Sequence, residues 1–114
     1  MKVLPKALRD AVWNRSRGYC EKCGLPLHQD SWNWHHRKIK SQGGQDLVEN
    51  GLALHFSCHR WIHDNPAESY KYGYMVPNGD TPLGLPVLLP NGLYATLTND
   101  GHYDYHYDDE KEGV

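Results

Sequence analysis

The sequence predicts a small α+β domain: a helix first, a strand–loop–strand–helix unit in the middle, an antiparallel β meander last. Three observations predict it. Apolar residues recur at three and four near the start of the chain. Two β-prone runs lead into a histidine-rich helical stretch between residues 31 and 65. After Thr81, β-prone runs are cut at regular intervals by turn residues. The 114 residues suffice for one domain, and at 39% hydrophobic the core is thin. Small domains often offset such a shortfall with disulfides or a structural metal.

Residues 5–17 read as the helix. Leu4, Leu8, Ala11 and Val12 recur at the helical spacing, with Arg15 next on the same stripe; Pro5 suits a first turn and Gly18 the stop. YCEKCG follows at once. SWNWHHRKI, residues 31–39, has the look of a strand, with Trp32 and Trp34 (and later Trp61) as core. SQGGQ is a turn or loop. DLVENGLALHF, residues 46–56, returns the chain to a short helix starting near Ser57 or Cys58. Pro66 stops it, and residues 67–72 are a candidate for another. Turn signals at Pro90-Asn91-Gly92 and Asn99-Asp100-Gly101 separate the β-prone runs of a meander, in which Tyr103, Tyr105 and Tyr107 share one face. DDEKEGV reads as a disordered acidic end. The expected organisation is a core over 1–80, the meander packed on or beside it over 81–107, and an acidic tail over 108–114.

The net charge of −2 conceals an asymmetry. Residues 1–40 carry nine Lys or Arg against three acids, a net of +6; residues 41–114 carry three against eleven, a net of −8. One half suits phosphate and the other repels it. MKVLPKALRD has no apolar run of the kind a signal peptide needs, and no segment is long enough to cross a bilayer. Three cysteines cannot form a closed disulfide set. Thiolates in a reducing compartment, the cytoplasm, are therefore expected.

Metal-ligand spacing supplies the chemistry. Cys20-x2-Cys23 is a metal knuckle, and His55-x2-Cys58 repeats its spacing, giving a Cys3His set for structural zinc. In a helix His59 is turned about 100° from Cys58, so it leaves that set. It shares a face with His63, four residues on. The tandem His35-His36 on the preceding strand offers the missing partner for a second metal. Adjacent strand residues point to opposite faces, so both histidines can serve only where the strand ends or bends. His28, His102 and His106 have no usable partner spacing.

RGYCEKCG, HHRKIKSQGG, Asn50 and CHRWIH, taken in order over roughly residues 15–70, resemble the HNH endonucleases, in particular the small zinc-containing bacteriophage subgroup. The resemblance implies a ββα-metal motif stapled by the zinc knuckle, clasping one divalent ion between two antiparallel strands and a helix. It implies His36 as general base, with His35 and His59 as ligands of the catalytic ion. His63 is a further ligand or a phosphate contact, and Asn50 braces the loop that holds His36. The sequence departs from the commonest pattern in having His35 where many members have Asp, and His55 where most zinc-binding members have Cys. No carboxylate is obviously placed beside His36.

The implied activity is one-metal hydrolysis of phosphodiesters in double-stranded DNA. An all-imidazole first shell favours Zn, Ni, Co or Mn over Mg, and with substrate oxygens in the shell Mg2+, Mn2+, Ni2+ and Zn2+ all stay open. Arg15, Arg17, Arg37, Lys38 and Lys40 flank the site and are the expected DNA contacts; solubility is the alternative role of each. The phage resemblance implies the terminase large subunit as partner. A homing or mobile-element nuclease, or a non-catalytic zinc-stabilised DNA-binding adaptor, are the alternatives. The joint presence of His35, His36, Asn50, His59 and His63 speaks against the adaptor.

Overall fold

The computed structural model describes residues 4–107; the acidic end expected over 108–114 lies outside the described residues. The first helix, α1 (Lys6–Ser16), starts after Pro5, whose extended backbone (φ −60°, ψ 141°) makes it the N-cap. Its stop comes one residue before Gly18. Arg17 is itself left-handed (φ 57°), and the amides of Arg17 and Gly18 return to the carbonyls of Asn14 and Trp13. The knuckle then leads to β1 (Asn33–His36), which pairs antiparallel with β2 (Gly51–Leu54) in the register Trp34↔Ala53, His35↔Leu52, His36↔Gly51.

The strand β1 is shorter than the aromatic run that predicts it. The Asn50 side chain takes both backbone groups of Lys38, accepting from its N–H at 2.7 Å and donating to its carbonyl at 3.1 Å. With those groups engaged, the ladder cannot continue. The chain instead enters a 3-10 turn at Lys40–Gln42 and folds back through Gly43-Gly44. A side chain at Gly44 would place its Cβ 1.7 Å from the Lys38 carbonyl oxygen, so only glycine allows this approach.

The helix α2 (Phe56–Asp64) follows β2 with His55 as its N-cap, one or two residues earlier than expected, and α3 (Pro66–Lys71) opens on Pro66. Ser69 Oγ donates to the carbonyls of Ile62 and Asn65, tying α3 to α2. The strands β3 (Val87–Leu88), β4 (Tyr94–Leu97) and β5 (Tyr103–His106) form an antiparallel sheet in that order, with its turns where the Pro-Asn-Gly and Asn-Asp-Gly signals lie. Val12 of α1, Trp32, Leu52 and Leu54 of β2, Ile62 of α2, and Val87, Ala95 and Leu97 of the meander occupy one buried cluster. Trp34 and Trp61 pack against it partly exposed.

Two arginines expected at the DNA interface lie inside instead. Arg37 is fully buried and donates to the carbonyls of Gly73 (2.8 Å), Glu49 (3.3 Å), Pro82 (3.2 Å) and Leu85 (2.8 Å), closing three loops around one cation. Burial brings its pKa down to about 10, so it stays charged at neutral pH. Arg15 makes a bidentate pair with Glu21 (2.8 and 2.7 Å) and donates to Gly51 O and Val48 O. Glu21 also accepts from the Ala53 amide at 2.8 Å and the Tyr103 hydroxyl at 2.5 Å. This network joins α1, the knuckle, β2 and β5. Neither guanidinium can reach a phosphate without unfolding its surroundings.

Breaking that network should be costly. Glu21→Gln leaves the Arg15 charge buried without its counter-ion, and the zinc-loaded variant should lose about 3–5 kcal/mol of stability. Urea denaturation checks this; a midpoint equal to that of wild type would mean the pair contributes nothing to the fold.

Candidate metal centres and active site

The first cluster gathers Cys20, Cys23, His55 and Cys58, whose donor atoms lie within 4.8 Å of one another. Local structure accounts for it. The turn after Cys20 closes through Gly24 N–H to Cys20 O at 3.0 Å, which brings Cys23 beside it. His55 at the N-cap and Cys58 in the first turn of α2 supply the other pair. The His55 Nε2–H donates to Pro26 O at 2.9 Å, because a carbonyl can only accept; Nδ1 is left bare and faces Cys23 Sγ at 3.3 Å. Burial opposes the Cys20 thiolate, but the backbone amides of Cys23, His55 and Lys22 outweigh it and bring its pKa down to about 7. Burial, then the charge of Cys20, push Cys58 up to about 12. A divalent cation among these thiols relieves that repulsion, and the donor set fits zinc.

The second cluster gathers His35, His59 and His63, again within 4.8 Å. His35 is 1% exposed on β1, and its Nε2–H donates to Tyr74 O at 2.8 Å, leaving Nδ1 free. His59 and His63 share one face of α2, their Nε2 atoms 3.1 Å apart. Two nitrogens bound at about 2.0–2.1 Å to one ion stand about 3 to 3.5 Å apart, so this pair already has ligand spacing. Burial, opposed by the Tyr74 carbonyl and aided by His59 and His63, brings the His35 pKa down to about 3. Burial, then the charges of His63 and His36, also lower that of His59. Neutral imidazole is the form that binds metal. The four residues of the first cluster and the three of the second are disjoint, so the ten residues from Leu54 to His63 contribute to two candidate centres.

His36 is the last residue of β1, which is how it and His35 escape the opposite-face rule. Both line one recess of about 300 Å³ together with Trp34, Ile39, Lys40, His59 and His63. Gly51, cross-strand from His36, leaves room for the Trp34 ring, which a Cβ there would meet at 2.3 Å. Asn50 is wholly buried and, besides bracing Lys38, donates to Gln45 O at 3.0 Å, so it spans the loop between the strands.

That loop also carries a residue the sequence did not reveal. Asp46 Oδ1 lies 2.8 Å from His36 Nε2, and Lys40 Nζ sits 3.3 Å from the same oxygen. The hydrogen bond from His36, opposed by partial burial and supported by Lys40, holds the Asp46 carboxyl below the usual carboxylate range. No spacing rule links residue 36 to residue 46; only the folding back at Gly43-Gly44 does. Among the five expected DNA contacts, Lys40 is exposed at the recess itself and Arg17 is exposed at the end of α1. Lys38 is half-buried, its ammonium donating to Asp80 O at 2.9 Å.

Two antiparallel strands, a following helix and three imidazoles converging from β1 and α2 define the ββα-metal class, here with a Cys3His cluster beside it. Residues 20–65 match the family model described as HNH endonuclease, and that match supports a function of the nuclease type. The match runs from the first knuckle cysteine past His63 and so includes all seven candidate ligands, His36 and Asn50. Neither a curated protein nor a solved structure matches the chain. No helix among the described residues is long and apolar enough to cross a membrane.

Proposed function

We propose that this protein is a metal-dependent endonuclease that hydrolyses phosphodiester bonds of double-stranded DNA. The observation that carries the reading is the placement of His36 in one recess with the three-imidazole cluster. A divalent ion held by His35, His59 and His63 would polarise the scissile phosphate and neutralise charge on the departing 3′ oxygen. His36 accepts the proton of the attacking water, which makes it the general base. Expulsion of the 3′ oxygen leaves 5′-phosphate and 3′-hydroxyl ends. Asn50 keeps the loop, and with it the end of β1, in place. Cys20, Cys23, His55 and Cys58 hold zinc that is structural. On the phage resemblance, the physiological partner is the terminase large subunit during DNA packaging.

Plasmid relaxation with Mg2+, Mn2+, Ni2+ and Zn2+ in turn tests the activity; failure with every ion would sink it. The site assignment has its own test. His59→Ala should leave one zinc per chain by metal analysis, lose binding of the second ion, and lose cleavage. Disappearance of both ions together would mean that His59 completes the zinc site.

DNA contact should follow exposure. Lys40→Ala is expected to weaken binding across all sequences and lower the slope of log affinity against log salt by about one charge. An unchanged slope in a titration of salt would remove Lys40 from the interface.

A further inference from the structure

We propose that Asp46 is a positioning residue for the nuclease, fixing both the direction and the tautomer of the His36 ring. The inference rests on the general-base reading of His36 and adds to it the group that makes His36 competent.

The geometry is specific. A carboxylate can only accept hydrogen bonds, so with Asp46 Oδ1 at 2.8 Å the proton between them sits on His36 Nε2. In a neutral imidazole the other nitrogen, Nδ1, then carries the lone pair, and that atom is the one able to take a proton from water. Without Asp46 the ring is free to hold its proton on Nδ1, where it is useless as a base, or to rotate about its side-chain bonds. His36 is half-buried at the last ladder pair of β1, and that pairing holds its backbone but not its ring.

Asp46 is itself held from two sides. Lys40 Nζ approaches both of its oxygens at 3.3–3.4 Å. The preceding residue, Gln45, is fixed through its carbonyl by Asn50. Asn50 thus acts on the catalytic histidine by two routes, through the backbone that follows β1 and through the loop that presents Asp46. The two metal clusters do not include Asp46, which separates this role from ion binding.

The experiment compares Asp46→Asn, Asp46→Glu, His36→Ala and the His36→Ala/Asp46→Asn double variant, all zinc-loaded. Asp46→Asn should keep the fold, both ions and KM for DNA, while kcat falls about tenfold or more, bounded by the loss in His36→Ala. Asp46→Glu, which keeps a carboxylate, should recover part of kcat. Nitrogen NMR of the His36 ring should show Nε2–H in wild type and a shift toward Nδ1–H in Asp46→Asn. The double variant should be no slower than His36→Ala, since Asp46 acts only through that ring.

Additive losses in the double variant, or loss of the second ion from Asp46→Asn, would overturn the proposal. So would an unchanged ring tautomer with wild-type kcat. A slow His36→Ala beside an unimpaired Asp46→Asn removes the role of Asp46 alone. A His36→Ala protein that cuts like wild type removes the general-base reading itself.

Discussion

Plasmid relaxation by His36→Ala is expected to run about two to four orders of magnitude slower than by wild type, the usual contribution of a positioned general base. Fold, zinc content and DNA affinity should be retained. His36 stands outside both candidate ligand clusters, and its ring makes one hydrogen bond, to the Asp46 side chain, which is not part of the core. The loss should therefore appear in the saturated rate and leave KM unchanged, which is the signature of an interaction made in the transition state. Equal rates at saturating DNA would move the base role to another residue, and His35 is a poor successor: its Nε2 is committed to Tyr74 O and its Nδ1 to the ion cluster.

Cys23→Ser should give a protein that no longer retains zinc and that unfolds or aggregates. Structural zinc contributes its binding free energy to folding, on the order of 10 kcal/mol in small zinc domains. That exceeds the whole stability of many domains this size. Cys23 is exposed, so the loss cannot be ascribed to an emptied core, and serine removes little volume. The knuckle also orients Glu21, between the two cysteines, toward Arg15, the Ala53 amide and Tyr103. Losing the metal should thus loosen α1, β2 and the meander together. Circular dichroism and zinc analysis on the same sample check this; a folded, zinc-free variant of normal stability would remove the Cys3His assignment.

Arg15 illustrates how far sequence reading reaches. The helical recurrence places it on the apolar stripe with Leu8 and Val12, and that stripe is the one that turns inward. Charge alone made it a DNA contact, whereas its position on the stripe was the better guide. Nothing local announced Glu21 as its counter-ion, because the knuckle that carries Glu21 reaches Arg15 only after α1 ends in two left-handed residues. Arg37 gave less warning still. It lies in a basic run beside His35 and His36, yet its acceptors are carbonyls at 49, 73, 82 and 85. The trimmed end of β1 has the same origin, since Asn50 and Lys38 meet only once β2 has paired.

The Cys20–Cys23, His55–Cys58 and His59–His63 pairs, the strand–loop–strand–helix order and the meander are legible in the residues alone. Those features rest on spacings of two to four residues and on turn chemistry, where backbone geometry fixes which side chains share a face. The tertiary structure decided which charges are buried and which carboxylate meets His36. A buried ion is tolerated only where acceptors converge on it. Here the acceptors come from segments ten to nearly fifty residues away, or in the case of Glu21 from the knuckle itself, so their convergence exists only after the chain has folded.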